Sequence, residues 1–240
     1  YYTLSYALLF KLILTLTLNH KIKEFLKVSF YRIVAFGAAG FNPIIDKAMA
    51  TWLGEGNISV LYYANRIYVI PVTLLSMGLF PVVLSHWSQS YYTNENKQLL
   101  FEKANKAFRA VLLISFAVIG ILVFLSGPLV YLAFGRGKFD SVYLGTVKKA
   151  FLCYILGLAP YVAGSLFTQA HLILKRTKFL MKLAFLNCFL NVVLNYIFMQ
   201  FAGVVGIALS TSVTVLIIAV LLYVTTQPKI KNNPIKLKDI

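Results

Sequence analysis

The sequence predicts an all-α fold, a polytopic transmembrane helix bundle of about seven membrane-spanning helices. Three observations carry that expectation. Of the 240 residues, 60% are hydrophobic and 12% charged, and the mean hydropathy is +0.79. A soluble domain holds about 25% charged residues and about 45–50% apolar ones, so an ordinary soluble enzyme, a disordered tail and a collagenous repeat are excluded. The apolar residues also come in long runs. A bilayer core about 30 Å thick takes roughly 20 helical residues, and seven segments meet or approach that length. Finally, the runs do not alternate polar with apolar, which excludes a closed barrel.

The first segment is 1–18, interrupted only by Lys11. It opens at Tyr1, directly in apolar sequence, and reads as a fragment cut inside or just before a helix, not as a signal peptide. The second and third segments, 28–53 and 58–86, are joined by the short turn Leu53–Ser59 (LGEGNIS). The fourth, 108–134, carries no charge from Ala110 to Gly135, and the fifth is 143–172. The sixth and seventh share an uncharged run from Leu183 to Pro228. As one helix that run would reach about 69 Å, more than twice the hydrocarbon core. It must turn back, and Gly203 and Gly206 mark the turn. Residues 227–240 are polar, basic and carry two prolines, and are expected to form a loose tail. Pro71, Pro81 and Pro160, with Gly78, Gly157 and Gly164, are expected weak points inside the spans.

The formal net charge is +16. In a soluble protein that would suggest nucleic acid. Here the basic residues lie in short segments between apolar runs, which points to membrane lipids and not to nucleic acid. Fifteen of them fall in the first, third, fifth and last connecting segments, from Lys21 to Lys238. The positive-inside rule makes those segments, and the C-terminus, cytoplasmic. Tyr62, Tyr63, Tyr91, Tyr92, Tyr131 and Tyr143 fall near the expected interfaces and read as an anchoring belt. Cys153 and Cys188 lie inside apolar runs, with no disulfide or CxxC pattern. No HExxH, GxSxG or P-loop occurs. His20, His86 and His171 are isolated near expected membrane edges and read as interface residues.

Function must then reside in polar groups at bilayer depth, where a charge costs at least about 2.5–3.5 kcal/mol. Lys11, Asp46, Lys47 and Arg66 stand out, while Arg32 can snorkel to the interface. Asp46 lies about 10 Å from its helix end and Arg66 about 12 Å from the start of the next. At matching depth on neighbouring helices, they form either a buried ion pair that staples a hairpin or part of a hydrated pathway. Asn187, Asn191 and Asn195 recur every four residues and form one stripe. Asn195 and Thr211 flank the turn at equal distances. Carboxylate, amide oxygens, hydroxyl and a backbone carbonyl make a hard oxygen set suited to Na⁺. The stripe on its own is better explained by helix-to-helix hydrogen bonding.

Residues Asp46 to Ser85 read DKAMATWLGEGNISVLYYANRIYVIPVTLLSMGLFPVVLS. This block resembles the MurJ/MviN family of lipid II flippases. Phe134–Phe139 (FGRGKF), Asn191–Asn195 (NVVLN) and Gly203–Ser212 (GVVGIALSTS) are similar to three further blocks of that family, in the same order. The resemblance implies a transporter of the MATE/polysaccharide-flippase superfamily, in which two six-helix lobes enclose a cationic cavity and alternate between inward-open and outward-open states. It implies that 1–18 is the last helix of the N-terminal lobe, 28–226 the six-helix C-terminal lobe and 227–240 a cytoplasmic basic tail. The missing N-terminal lobe would be required in the same or another chain.

The implied substrate is an undecaprenyl-pyrophosphate-linked peptidoglycan precursor, lipid II, moved across the bacterial cytoplasmic membrane. Arg66, with Asn65 and Lys47, is then expected to meet the pyrophosphate. Asp46, Asn191, Asn195, Thr211 and the carbonyl of Ile207 match a sodium site of the family. Some members carry aspartate where this chain has Asn195, and one carboxylate fewer makes a weaker cation site. An O-antigen or other polysaccharide flippase, a multidrug exporter of the same superfamily and an inactive scaffold subunit are the alternatives. No cofactor is expected beyond the possible Na⁺. An intramembrane transferase has no acid–base constellation to support it.

Overall fold

The structure, a computed structural model, describes residues 20–92, 97–134 and 143–232. Among these, regular structure is entirely helical. The helices are α1 (His20–Thr51), α2 (Asn57–Tyr92), α3 (Lys97–Phe134), α4 (Leu144–Leu156), α5 (Leu158–Ile173) and α6 (Thr177–Asn232). Five stretches are long and apolar enough to cross a membrane. One of them, Leu144–Ile173, combines α4 and α5. Another, Thr177–Thr226, is 50 residues long and consists of two helices joined across a kink at Gly203. With its two arms counted separately, the described residues hold six stretches of membrane-spanning length. The expected crossing at 1–18, with Lys11, lies outside the described residues, as does most of the FGRGKF loop.

The reversal in α6 occurs at Gly203, with φ 57° and ψ −135°. A residue with a Cβ is strained at that positive φ. Three residues later, a Cβ on Gly206 would collide with the Phe198 carbonyl. Gly203 makes the turn and Gly206 lets the two arms, 177–202 and 204–232, lie against each other.

Helices run past the expected spans. α1 starts at His20 and not at 28, α2 ends at Tyr92 and not at 86, and α3 starts at Lys97 and not at 108. The second arm of α6 reaches Asn232, into the segment expected to be a loose tail from 227. Lys, Glu and Gln are good helix formers, so the helix continues where the apolar run stops. Pro71 and Pro81 sit within an unbroken α2. A break appears at Gly157, three residues before Pro160.

The core lies around α4 and α5. Val147, Ala150, Phe151, Ile155, Leu158, Val162 and Leu166 are all fully buried. α2, α3 and the second arm of α6 surround this span. α1 is different. It packs mainly on α6, and its Phe25, Phe30, Ile33, Phe36, Phe41 and Ile44 remain exposed. This arrangement lays the polar residues of α1 against the asparagine stripe.

Candidate functional site

Asp46 is 7% exposed and lies between α1 and both arms of α6. Asn195 Nδ2 donates to Asp46 Oδ1 at 2.7 Å and Asn191 Nδ2 to the same oxygen at 3.1 Å. Thr211 Oγ1 donates to Asp46 Oδ2 at 3.4 Å and to the Ile207 carbonyl at 3.1 Å. Asn191 and Asn195 are both fully buried. The two asparagines face Asp46 because a four-residue spacing returns a side chain to one helix face. Thr211 reaches the carboxylate because the turn at Gly203 brings the second arm back beside the first. All five residues expected at a cation site therefore meet at one point.

Ser210 belongs to the same cluster. Its hydroxyl donates to Asn195 Oδ1 and to the Ile207 carbonyl at 2.8 Å. The signal for it in the sequence was position: Ser210 follows Ile207 by three residues and so returns to its carbonyl. One turn of α1 away from Asp46, Asn42 Nδ2 donates to Asn187 Oδ1 at 2.7 Å. No group of three or more His, Cys, Asp or Glu side chains gathers among the described residues. This is accordingly an oxygen-rich cluster with one carboxylate.

Against it lies a cavity of about 240 Å³, lined by Pro43, Asp46, Lys47, Leu61, Tyr62, Asn65, Arg66, Val69 and Tyr154. Lys47, Asn65 and Arg66, the residues expected to meet a pyrophosphate, thus line the same cavity. Among the described residues no ion pair joins Asp46 to Arg66. The hairpin staple is therefore not what holds these helices. Arg66 turns to Tyr62, whose hydroxyl accepts from Nε at 3.0 Å and from a terminal guanidinium nitrogen at 2.8 Å. The guanidinium also lies 5.0 Å from the Tyr62 ring centre, and Lys47 Nζ lies 6.0 Å from it on its own approach. Tyr62 is thus a member of the site and not only an anchor. A tyrosine four residues before an arginine on one helix was the available signal. The buried Tyr154, which lines the same cavity, stacks on Tyr68 at 5.5 Å, and its hydroxyl faces Asn65.

His171 departs from the sequence reading. It is fully buried, not at an interface. Thr226 Oγ1 and Thr225 Oγ1 lie 3.0 and 3.2 Å from its Nε2, and Arg176 approaches Nδ1 at 3.3 Å. Arg176 also donates to the Thr225 carbonyl at 3.2 Å. These contacts tie the end of α5 to the end of α6, more than fifty residues later, a distance that local pattern does not reveal.

The family model for the lipid II flippase MurJ matches residues 3–238. The chain belongs to the MurJ family. A probable lipid II flippase MurJ of Helicobacter pylori is 29% identical over 211 residues, covering 83% of this chain and 43% of that protein. The counterpart of Aquifex aeolicus is 28% identical over 209 residues, covering 86% and 40%. The chain thus spans under half the length of the curated relatives it matches. A solved structure of lipid II flippase MurJ in an inward closed conformation superposes with a TM-score of 0.74 at 27% identity, over 87% of this chain and 45% of that one. A MATE structure in complex with MaL6 superposes with a TM-score of 0.77 at 16% identity, which shows a shared fold. The chain is a multi-pass membrane protein of this MurJ family.

Proposed function

We propose that this chain is the C-terminal lobe of a lipid II flippase, a transporter that works with an N-terminal lobe and carries out no covalent chemistry. The observation that carries this reading is one cavity lined by Lys47, Asn65 and Arg66, with Lys47 and Arg66 both lying near the Tyr62 ring. A pyrophosphate head needs cationic donors in a hydrated recess, and a guanidinium suits phosphate oxygens through paired N–H bonds. Arg66 is presented by Tyr62 and not consumed by a carboxylate, so its remaining donors stay available. The polyprenyl tail can remain in lipid while the head crosses. The fold alone is shared with multidrug exporters; the two cations in one cavity favour an anionic lipid head. The cytoplasmic placement of the C-terminus rests on the fifteen basic residues in alternate connecting segments.

The Asp46 cluster supports a second part of the proposal, a coupling cation such as Na⁺. The residue set fits: one carboxylate, a hydroxyl and the Ile207 carbonyl, hard oxygen ligands, converge with two amides whose N–H groups face Asp46. Turning the amides of Asn191 and Asn195 over would present oxygen in place of N–H to the same point. A cation there replaces the hydrogen bonds that otherwise quiet the carboxylate, and so favours one arrangement of α1 against α6 over another.

Arg66→Ala in the two-lobe protein tests the transport reading by complementation of a flippase-depleted strain. The variant is expected to insert normally in the membrane and fail to support growth. Normal growth would remove Arg66 from the transport cavity.

A further inference from the structure

We propose that Ser212 is a positioning residue that ties the Asp46 cluster to the substrate cavity through the break between α4 and α5. The inference deepens the function proposed above and rests on it. Pro160 has no N–H, and its ring crowds the carbonyl four residues before it. Near this point the helical ladder changes. The Gly157 N–H donates to the Tyr154 carbonyl at 3.0 Å, three residues back, where a continuous α-helix would use the carbonyl of Cys153. That leaves the Cys153 carbonyl without its ladder donor in the middle of a membrane span. Lipid supplies no replacement, so a neighbouring side chain must. Ser212 Oγ donates to the Cys153 carbonyl at 2.6 Å and lies 3.4 Å from that of Tyr154.

The approach is close because residue 157 is glycine. A Cβ there would stand 2.8 Å from Ser212 Oγ and 3.1 Å from its Cα. Seven residues on, Gly164 meets Ala219 in the same way, with a Cβ at 3.2 Å from its neighbour. The second arm of α6 and the α4–α5 span therefore meet along a seam of small residues, and Ser212 supplies its hydroxyl beside the break.

Position gives this contact a role beyond capping. Consecutive residues of a helix point about 100° apart. Thr211 therefore faces α1 and the Asp46 carboxylate, while Ser212 faces the break. Cys153 is followed by Tyr154, which lines the cavity and stacks on Tyr68. A displacement of the second arm that accompanies cation binding is passed by one side chain to the backbone carrying the cavity wall. Ser212 touches neither ligand; it sets the distance between two groups that do.

The test uses the purified two-lobe protein and measures lipid II affinity in sodium chloride and in choline chloride, with thermal unfolding as the control for folding. Wild type is expected to show a sodium-dependent change in affinity, of about 5- to 150-fold if the coupling is of ordinary size. In Ser212→Ala that factor is expected to fall towards one, with lipid II still bound. Gly157→Ala, which pushes Ser212 aside, is expected to do the same. Should Ser212→Ala fail to fold, Ser212→Cys, similar in shape and a weaker donor, is expected to reduce the factor. A variant that weakens lipid II binding equally in both salts, with the sodium factor retained, overturns the proposal and leaves Ser212 a cap. Absence of any sodium response in wild type overturns it differently, by removing the cation reading beneath it.

Discussion

Asp46 and Lys47 are neighbours in the chain, yet they serve two regions built on opposite plans. The Asp46 side is closed. Its partners Asn191, Asn195 and Ser210 are fully buried, and the carboxylate oxygens are taken up by amide and hydroxyl donors. The Lys47 side is open. Lys47, Tyr62 and Arg66 are exposed to the cavity, and Arg66 leans on a tyrosine hydroxyl in place of a counter-charge. A closed cluster of buried hydrogen bonds discriminates by geometry and tolerates little change. An open wall of long cationic side chains accepts a large head in more than one pose and lets it leave. Under the proposed function, the closed side would suit a small ion and the open side a bulky lipid head.

That contrast can be broken most sharply at its boundary. Asp46→Asn keeps the shape of the closed side and removes its charge. Sodium is expected to raise the unfolding temperature of the wild-type two-lobe protein, since a ligand at 100 times its Kd stabilises by about 2.7 kcal/mol. The variant is expected to lose that response entirely, and an unchanged sodium shift would reduce Asp46 to a structural role. Asn195→Asp tests the same side in the opposite direction. A second carboxylate beside the first is expected to tighten sodium binding, by about tenfold for each 1.4 kcal/mol gained. Weaker sodium binding in titration calorimetry would mean that Asn195 does not face the ion.

On the open side, Tyr62→Phe removes only the hydroxyl that presents Arg66. A hydrogen bond from a charged group contributes about 1.5–3 kcal/mol, so lipid II affinity is expected to fall by about 12- to 150-fold with the sodium response intact. A change in sodium response would show that the two sides are less separate than their packing implies.

Much of this arrangement is legible in the sequence. Equal depth paired Asn195 with Thr211 across the turn, and the family resemblance joined Asp46 to them. That the last run must turn back followed from its length, and its two glycines, Gly203 and Gly206, marked the place. Side-chain choices within that frame were not legible. Arg66 could have paired with Asp46 at the same depth, and the structure gives it to Tyr62 instead. The rotamer that decides this depends on the local shape of α2. His171 was hidden for another reason: its partners Thr225 and Thr226 come from the far end of a different helix. Helix ends were misjudged wherever hydropathy was asked to report them, because it marks where lipid stops and not where the backbone ladder does.

The bare outward flank of α1 has a mechanical meaning. With so little apolar surface committed to the bundle, its alignment along α6 depends on two polar studs a single turn apart, Asn42 on Asn187 and Asp46 on the pair beyond. Sliding would have to release both studs together, whereas tilting can loosen one and keep the other as a pivot. α1 is thus fastened to α6 at two polar points one helical turn apart, and one of the two is the Asp46 carboxylate.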